Sequence, residues 1–144
     1  MSALRMCALI AITAVFAGSA LAQEKSNVTI KKVPAPPTSP ASGQDMYVNY
    51  CAACHGKGGK GDGPAAPALK TPPTDLTMLA KQNKGEYPAA HVSTILQGGD
   101  VPAHGSKDMP VWGVVFRGMS GGHQPQVQQR IVNLSNYIAS LQVK

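Results

Sequence analysis

Residues 56–73 cannot form a regular element. Nine of these 18 residues are glycine or proline: Gly56, Gly58, Gly59, Gly61, Gly63, Pro64, Pro67, Pro72 and Pro73. Glycine loses the most freedom on ordering and proline lacks a backbone donor, so that density leaves only loop. A loop of this length inside a small domain usually has a function. It also withdraws a large part of the chain from core building. Aromatic residues make up only 5% of the 144 residues, so the remaining apolar side chains form a thin interior. Something other than protein has to fill the middle.

The segments that can be regular read as helices. Ser42 and Asp45 have capping-box spacing, and Met46, Tyr47, Tyr50 and Cys51 fall on one helical face. Residues 74–83 predict a short helix with Thr74 as cap and Leu76, Leu79 and Ala80 inward. Residues 88–97 predict another, with Pro88 in its first turn, Val92, Ile95 and Leu96 as its apolar face, and Gly98-Gly99 as its stop. Residues 100–122 read as loop. Residues 125–143 predict an amphipathic helix on Val127, Ile131, Leu134, Ile138 and Leu141. No alternating strand pattern and no repeat is present. The expected class is all-α, with four to five short helices.

The start of the chain reads differently. Arg5 precedes an uncharged run from Cys7 to Ala22 that ends Ala20-Leu21-Ala22. This is the order of a secretory signal peptide, 1–22, cleaved after Ala22, rather than a transmembrane anchor, for which the run is short. Residues 23–41 carry Pro34, Pro36, Pro37 and Pro40 with little apolar content and read as an extended tether. The domain is then 42–144. Export places the protein in the periplasm, with no transmembrane span in the mature form. Loss of Arg5 leaves 12 of the 13 basic residues against 7 acidic ones. They are scattered and not interleaved with aromatics, which excludes a nucleic-acid surface.

Loss of Cys7 leaves Cys51 and Cys54, in Cys51-Ala52-Ala53-Cys54-His55. C-x-x-C-H is the spacing of a c-type haem attachment site: two thiols add to two vinyl groups, and the next residue presents an imidazole to the iron. A dithiol redox motif lacks its βαβ setting, and a zinc site lacks a fourth ligand. For the sixth iron ligand the candidates are His91, His104, His123, Met46, Met78, Met109 and Met119. Met46 and Met78 sit at helical spacing and read as core. Met109 stands in a loop, in Asp108-Met109-Pro110-Val111-Trp112-Gly113, stiffened by the following proline. It is the assignment, and His104 in the same loop is the rival. His55 and Met109 together leave no open position on the metal and raise its potential.

Over residues 42–141 the sequence resembles class I c-type cytochromes, on Cys51-Ala52-Ala53-Cys54-His55-Gly56, Gly61-Asp62-Gly63-Pro64 and Met109-Pro110-Val111-Trp112-Gly113. The resemblance implies a cytochrome c-like fold wrapped around one haem c, held covalently through two thioethers. It implies that the first and last helices cross, with Gly43 and Tyr47 against Leu134 and Tyr137. It also implies that a proline carbonyl in the first loop accepts the ring N–H of His55. Pro64 and Pro67 are the candidates, and Pro64 is the choice. Trp112 packs on the haem or bonds a propionate. The implied function is that of a periplasmic carrier, not an enzyme, passing single electrons between redox partner proteins. Two alternatives stay open: a cytochrome subunit of a larger respiratory or dehydrogenase complex, peripheral to the membrane, and a haem sensor or peroxidase-like enzyme with a labile sixth ligand.

Overall fold

A computed structural model describes residues 29, 31, 33–98 and 109–143. The signal-peptide assignment and His104 lie outside these residues. The described residues are helical without strands, as the all-α reading requires. The helices are α1 (Gly43–Tyr50), α2 (Ala52–His55), α3 (Leu79–Gln82), α4 (Ala89–Gln97), α5 (Trp112–Met119) and α6 (Gln124–Ser140), with 3-10 turns at Ala66–Ala68 and Leu76–Met78.

Local signals set most boundaries. The Ser42 hydroxyl accepts from the Asp45 N–H at 3.1 Å and starts α1. Asp75, not Thr74, caps the 3-10 turn that leads into α3, accepting from the Thr77 N–H at 2.9 Å. Gly98 ends α4 in the left-handed conformation at φ 87°. On α6, Val127, Ile131, Leu134 and Ile138 are all buried.

The central packing contact is the crossing of α1 and α6. A Cβ on Gly43 would overlap the Asn133 carbonyl and lie 2.9 Å from the Tyr137 Cβ, so only glycine permits this approach. Tyr47 lies 5.2 Å from Tyr137 between ring centroids, and its hydroxyl donates to the Gly56 carbonyl at 2.8 Å. Thus the crossing also holds the residue that follows the C-x-x-C-H turn.

Two expectations are corrected. The stretch read as loop from 100 to 122 contains α5. Gly113 and Gly118 each cost about 1 kcal/mol in a helix relative to alanine, which is why the segment reads as loop. Burial of Trp112 and the fully buried Phe116 outweighs that cost. Gly113 also lets α5 pass close to α4, since a Cβ there would lie 2.5 Å from the Gln97 carbonyl oxygen. The second correction concerns the domain boundary at Ser42. The proline-rich segment is docked on the helices from Ala35 onward: Ala35 packs against the core, and the Pro40 carbonyl accepts from Asn133 at 2.9 Å.

Candidate haem site

Cys51 closes α1 and opens α2, so both thiols and the imidazole of His55 come from a single turn. Its backbone is tight: the His55 N–H donates to the Cys51 carbonyl at 2.8 Å and the Gly56 N–H to the Ala52 carbonyl at 3.0 Å. Cys51 is buried, and burial first, the neighbouring Cys54 second, pushes its thiol up to about 12. It is a protonated thiol at neutral pH.

The glycine-rich loop lies flat against this turn. The last carbonyls of a helix need donors. Here Ala65 N–H donates to Ala53, Gly63 N–H to Cys54 and Gly61 N–H to His55, at 2.9, 3.1 and 2.8 Å. Contact this close excludes side chains. A Cβ on Gly63 would lie 2.6 Å from the carbonyl carbon of Cys54, and Gly56 has φ 78° with the Asp62 carboxylate where its Cβ would stand. The glycine density of residues 56–63 serves this wrapping.

His55 is buried, and its Nδ1 lies 3.0 Å from the Thr74 carbonyl oxygen. Pro64, the expected acceptor, is exposed and does not border the cavity. Past the glycine-rich loop the Pro73 carbonyl lies against Gly61, and the next carbonyl, that of Thr74, reaches the ring. A carbonyl only accepts, hence Nδ1 carries the proton and Nε2 keeps its lone pair. Burial lowers the pKa of His55, against the raising effect of the Thr74 bond, and favours the neutral imidazole a metal requires.

Cys51, Cys54 and His55 border a cavity of about 350 Å³. That volume lies in the range of roughly 300–1,000 Å³ common to cofactor sites. Leu69, Leu76, Leu79, Val92, Ile95 and Leu96 supply its apolar lining. Met109 and Trp112 border the same cavity, Met109 half-buried and Trp112 buried. Of the rival ligands, Met46 is fully buried in the core, and His123 is exposed away from the cavity. His91, another candidate, is exposed and borders the cavity. Sequence reasoning missed two further participants. Tyr50 lines the cavity, and its position next to Cys51 was the available signal. The Thr74 carbonyl had no signal, because a backbone oxygen is common to all residues.

The model of one family, cytochrome C oxidase, cbb3-type, subunit III, matches residues 38–119. The chain belongs to that family of c-type cytochromes. No curated protein and no solved structure matches it. Membership implies haem c as the cofactor and haem-based electron transfer as the activity class. The residues of this c-type cytochrome fit such a group: two thiols on one turn, a neutral imidazole with Nε2 available, and an apolar cavity beside them. Among the described residues no three His, Cys, Asp or Glu side chains are grouped to hold a bare metal ion. Also among them, no helix is long and apolar enough to cross a membrane. Lys57, Lys60, Lys70 and Arg117 are exposed.

Proposed function

We propose that this cytochrome is an exported, periplasmic one-electron carrier whose haem c is held by Cys51 and Cys54 and ligated by His55 and Met109. The observation that carries the reading is the His55–Thr74 bond: at 3.0 Å it reserves Nε2 as a neutral donor before any metal is considered. Bound haem c supplies a one-electron iron couple. His55 would present a fixed tautomer, and Met109, which borders the same cavity, would offer a thioether. A thioether partner favours reduced iron relative to a second imidazole. The leucine-rich walls exclude water. With His55 and Met109 both holding the iron, no position would remain for a substrate, which would separate a carrier from a sensor or peroxidase.

The test is an absorption spectrum of oxidised and reduced protein from a host that matures c-type haem. An α-band of bis-thioether type is expected, with a weak red sulfur-to-iron band that Met109→Ala removes. Fast, tight carbon monoxide binding to the reduced wild type would refute the closed site. The family match favours a second reading, in which the cytochrome serves within a larger oxidase assembly. Gel filtration of a native extract separates the two: a carrier elutes near its own mass of 14.9 kDa less the signal peptide, a subunit with its complex.

A further inference from the structure

We propose that residues 35–40 are a strap that braces a wall residue of the haem pocket, Tyr50, from outside the cavity, and that Arg130 is the positioning residue that latches it. The inference rests on the haem reading above and names residues that tune the site.

Arg130 projects from α6 and is only 5% exposed. Its partners among the described residues are neutral. One terminal nitrogen donates to the Thr38 hydroxyl at 3.1 Å and approaches the Met46 sulfur at 3.8 Å, and the other donates to the Thr38 carbonyl at 2.9 Å. Its Nε has no hydrogen-bond partner. Burying a cation beside neutral groups is unfavourable, and an apolar side chain would fill this space without that penalty. What a guanidinium adds is a rigid fork that grips one hydroxyl and one carbonyl of the same residue.

That grip sets the direction of a hydrogen-bond chain. Arginine only donates, so the Thr38 hydroxyl accepts from it and is left to donate to the Tyr50 hydroxyl at 2.6 Å. Tyr50 then donates onward to the Pro36 carbonyl at 2.7 Å. Bonds aligned in this way polarise and strengthen one another. The strap is thereby held at two points, and Tyr50 is held by the strap.

Ring contacts close the circuit. Tyr50 stacks on Trp112 at 5.1 Å and 25°, Trp112 lies 5.9 Å from Phe116, and the Arg130 guanidinium carbon lies 5.9 Å from the Phe116 ring centre. Two members of this loop of five side chains, Tyr50 and Trp112, line the haem cavity. Tyr50 adjoins Cys51 in sequence, and Trp112 follows Met109 by three residues. Displacing the strap therefore admits water behind the pair of aromatic residues that flank both ends of the ligand set. A wetter pocket favours the more highly charged, oxidised iron and lowers the potential.

The experiment uses the full-length holoprotein with Arg130→Met, Thr38→Val and Tyr50→Phe. It reads the rate of cleavage within residues 33–41 by a broad-specificity protease, the midpoint potential, and covalent haem content. Arg130→Met should speed strap cleavage at least tenfold and shift the potential downward. Thr38→Val, which keeps the Thr38 carbonyl bond, should do both to a smaller degree and carries the test if Arg130→Met fails to mature. Tyr50→Phe keeps the ring stack but cuts the chain, and should lower the potential with less release of the strap. A freed strap with unchanged potential would reduce it to a mere anchor for the segment before it and overturn the proposal. Unchanged cleavage in Arg130→Met would show that the latch does not exist. Wild-type protein without covalent haem would instead sink the function reading, and the link to iron with it, while strap cleavage would still report on the latch.

Discussion

Replacing Gly43 by alanine tests whether the α1–α6 crossing is as close as the structure places it. The new Cβ would overlap the Asn133 carbonyl oxygen, lie 2.8 Å from its carbon and 2.9 Å from the Tyr137 Cβ. Two of these atoms are backbone and the third is a Cβ, so none can swing aside. Restoring an ordinary carbon–oxygen contact of about 3.2 Å to the overlapping Asn133 carbonyl requires the helices to part by more than ~1 Å, enough to forfeit about half of the dispersion energy at the seam. Overpacking of this kind costs about 1–3 kcal/mol. The gain of alanine over glycine in a helix, at most ~1 kcal/mol, offsets part of it, and less at the first helical residue. The expected net loss is about 1–2 kcal/mol, or roughly 4–8 °C in Tm for a domain of this size. The control is Gly118→Ala on α5, where an added Cβ meets no atom within 4 Å and the substitution should be neutral or stabilising. Thermal melts followed by far-UV circular dichroism compare the two. If Gly43→Ala melts with the wild type while Gly118→Ala behaves as stated, the close crossing is wrong.

Phe116→Ala removes a fully buried ring and should cost about 3–5 kcal/mol in urea denaturation. Gln142 clips α3 to the end of α6: its Oε1 accepts from Ala80 N–H at 2.8 Å and its Nε2 donates to Leu76 and Ile138 carbonyls at 2.7 and 2.9 Å. Gln142→Ala should therefore lose about 1–3 kcal/mol and speed amide exchange in α3. Burial raises the pKa of the Tyr47 and Tyr87 hydroxyls above the ordinary 10.0. The native state then keeps protons that the unfolded chain releases, so their contribution is full below pH 10 and is lost as pH rises beyond it. Urea midpoints should fall above about pH 10, and Tyr87→Phe should flatten that fall while losing roughly 1 kcal/mol at neutral pH with the Ser135 bond.

Five of the residues singled out in the sequence, Cys51, Cys54, His55, Met109 and Trp112, meet at one cavity. Their signals were short-range or chemical: two thiols and an imidazole within one turn, and a methionine set before a proline. Gly43 and Tyr137 were legible through the family resemblance, with which the helical spacing of Gly43 to Tyr47 and of Leu134 to Tyr137 agrees. Other features left no such trace. Arg130 lies three residues after Val127 and four before Leu134, on the inward stripe of α6, but no local pattern tells what a guanidinium buried there meets. The helix α5 was hidden by its two glycines, whose intrinsic cost only the packing of Trp112 and Phe116 reverses.

By itself the sequence determined the class of fold, the attachment turn and the need for a non-protein filler, because these follow from spacing within a few residues and from how much apolar material the chain has. Tertiary structure alone decided which carbonyl fixes the imidazole, where the domain begins, and how the pocket wall is held. Thr74 and Pro64 offer the same acceptor, and only the path of the loop brings one of them to His55. Thr38 joins the domain because α6 carries a guanidinium to meet it, and Pro36 because the Tyr50 hydroxyl does. Contacts between residues nearly a hundred positions apart depend on the folded shape, and no local pattern encodes them.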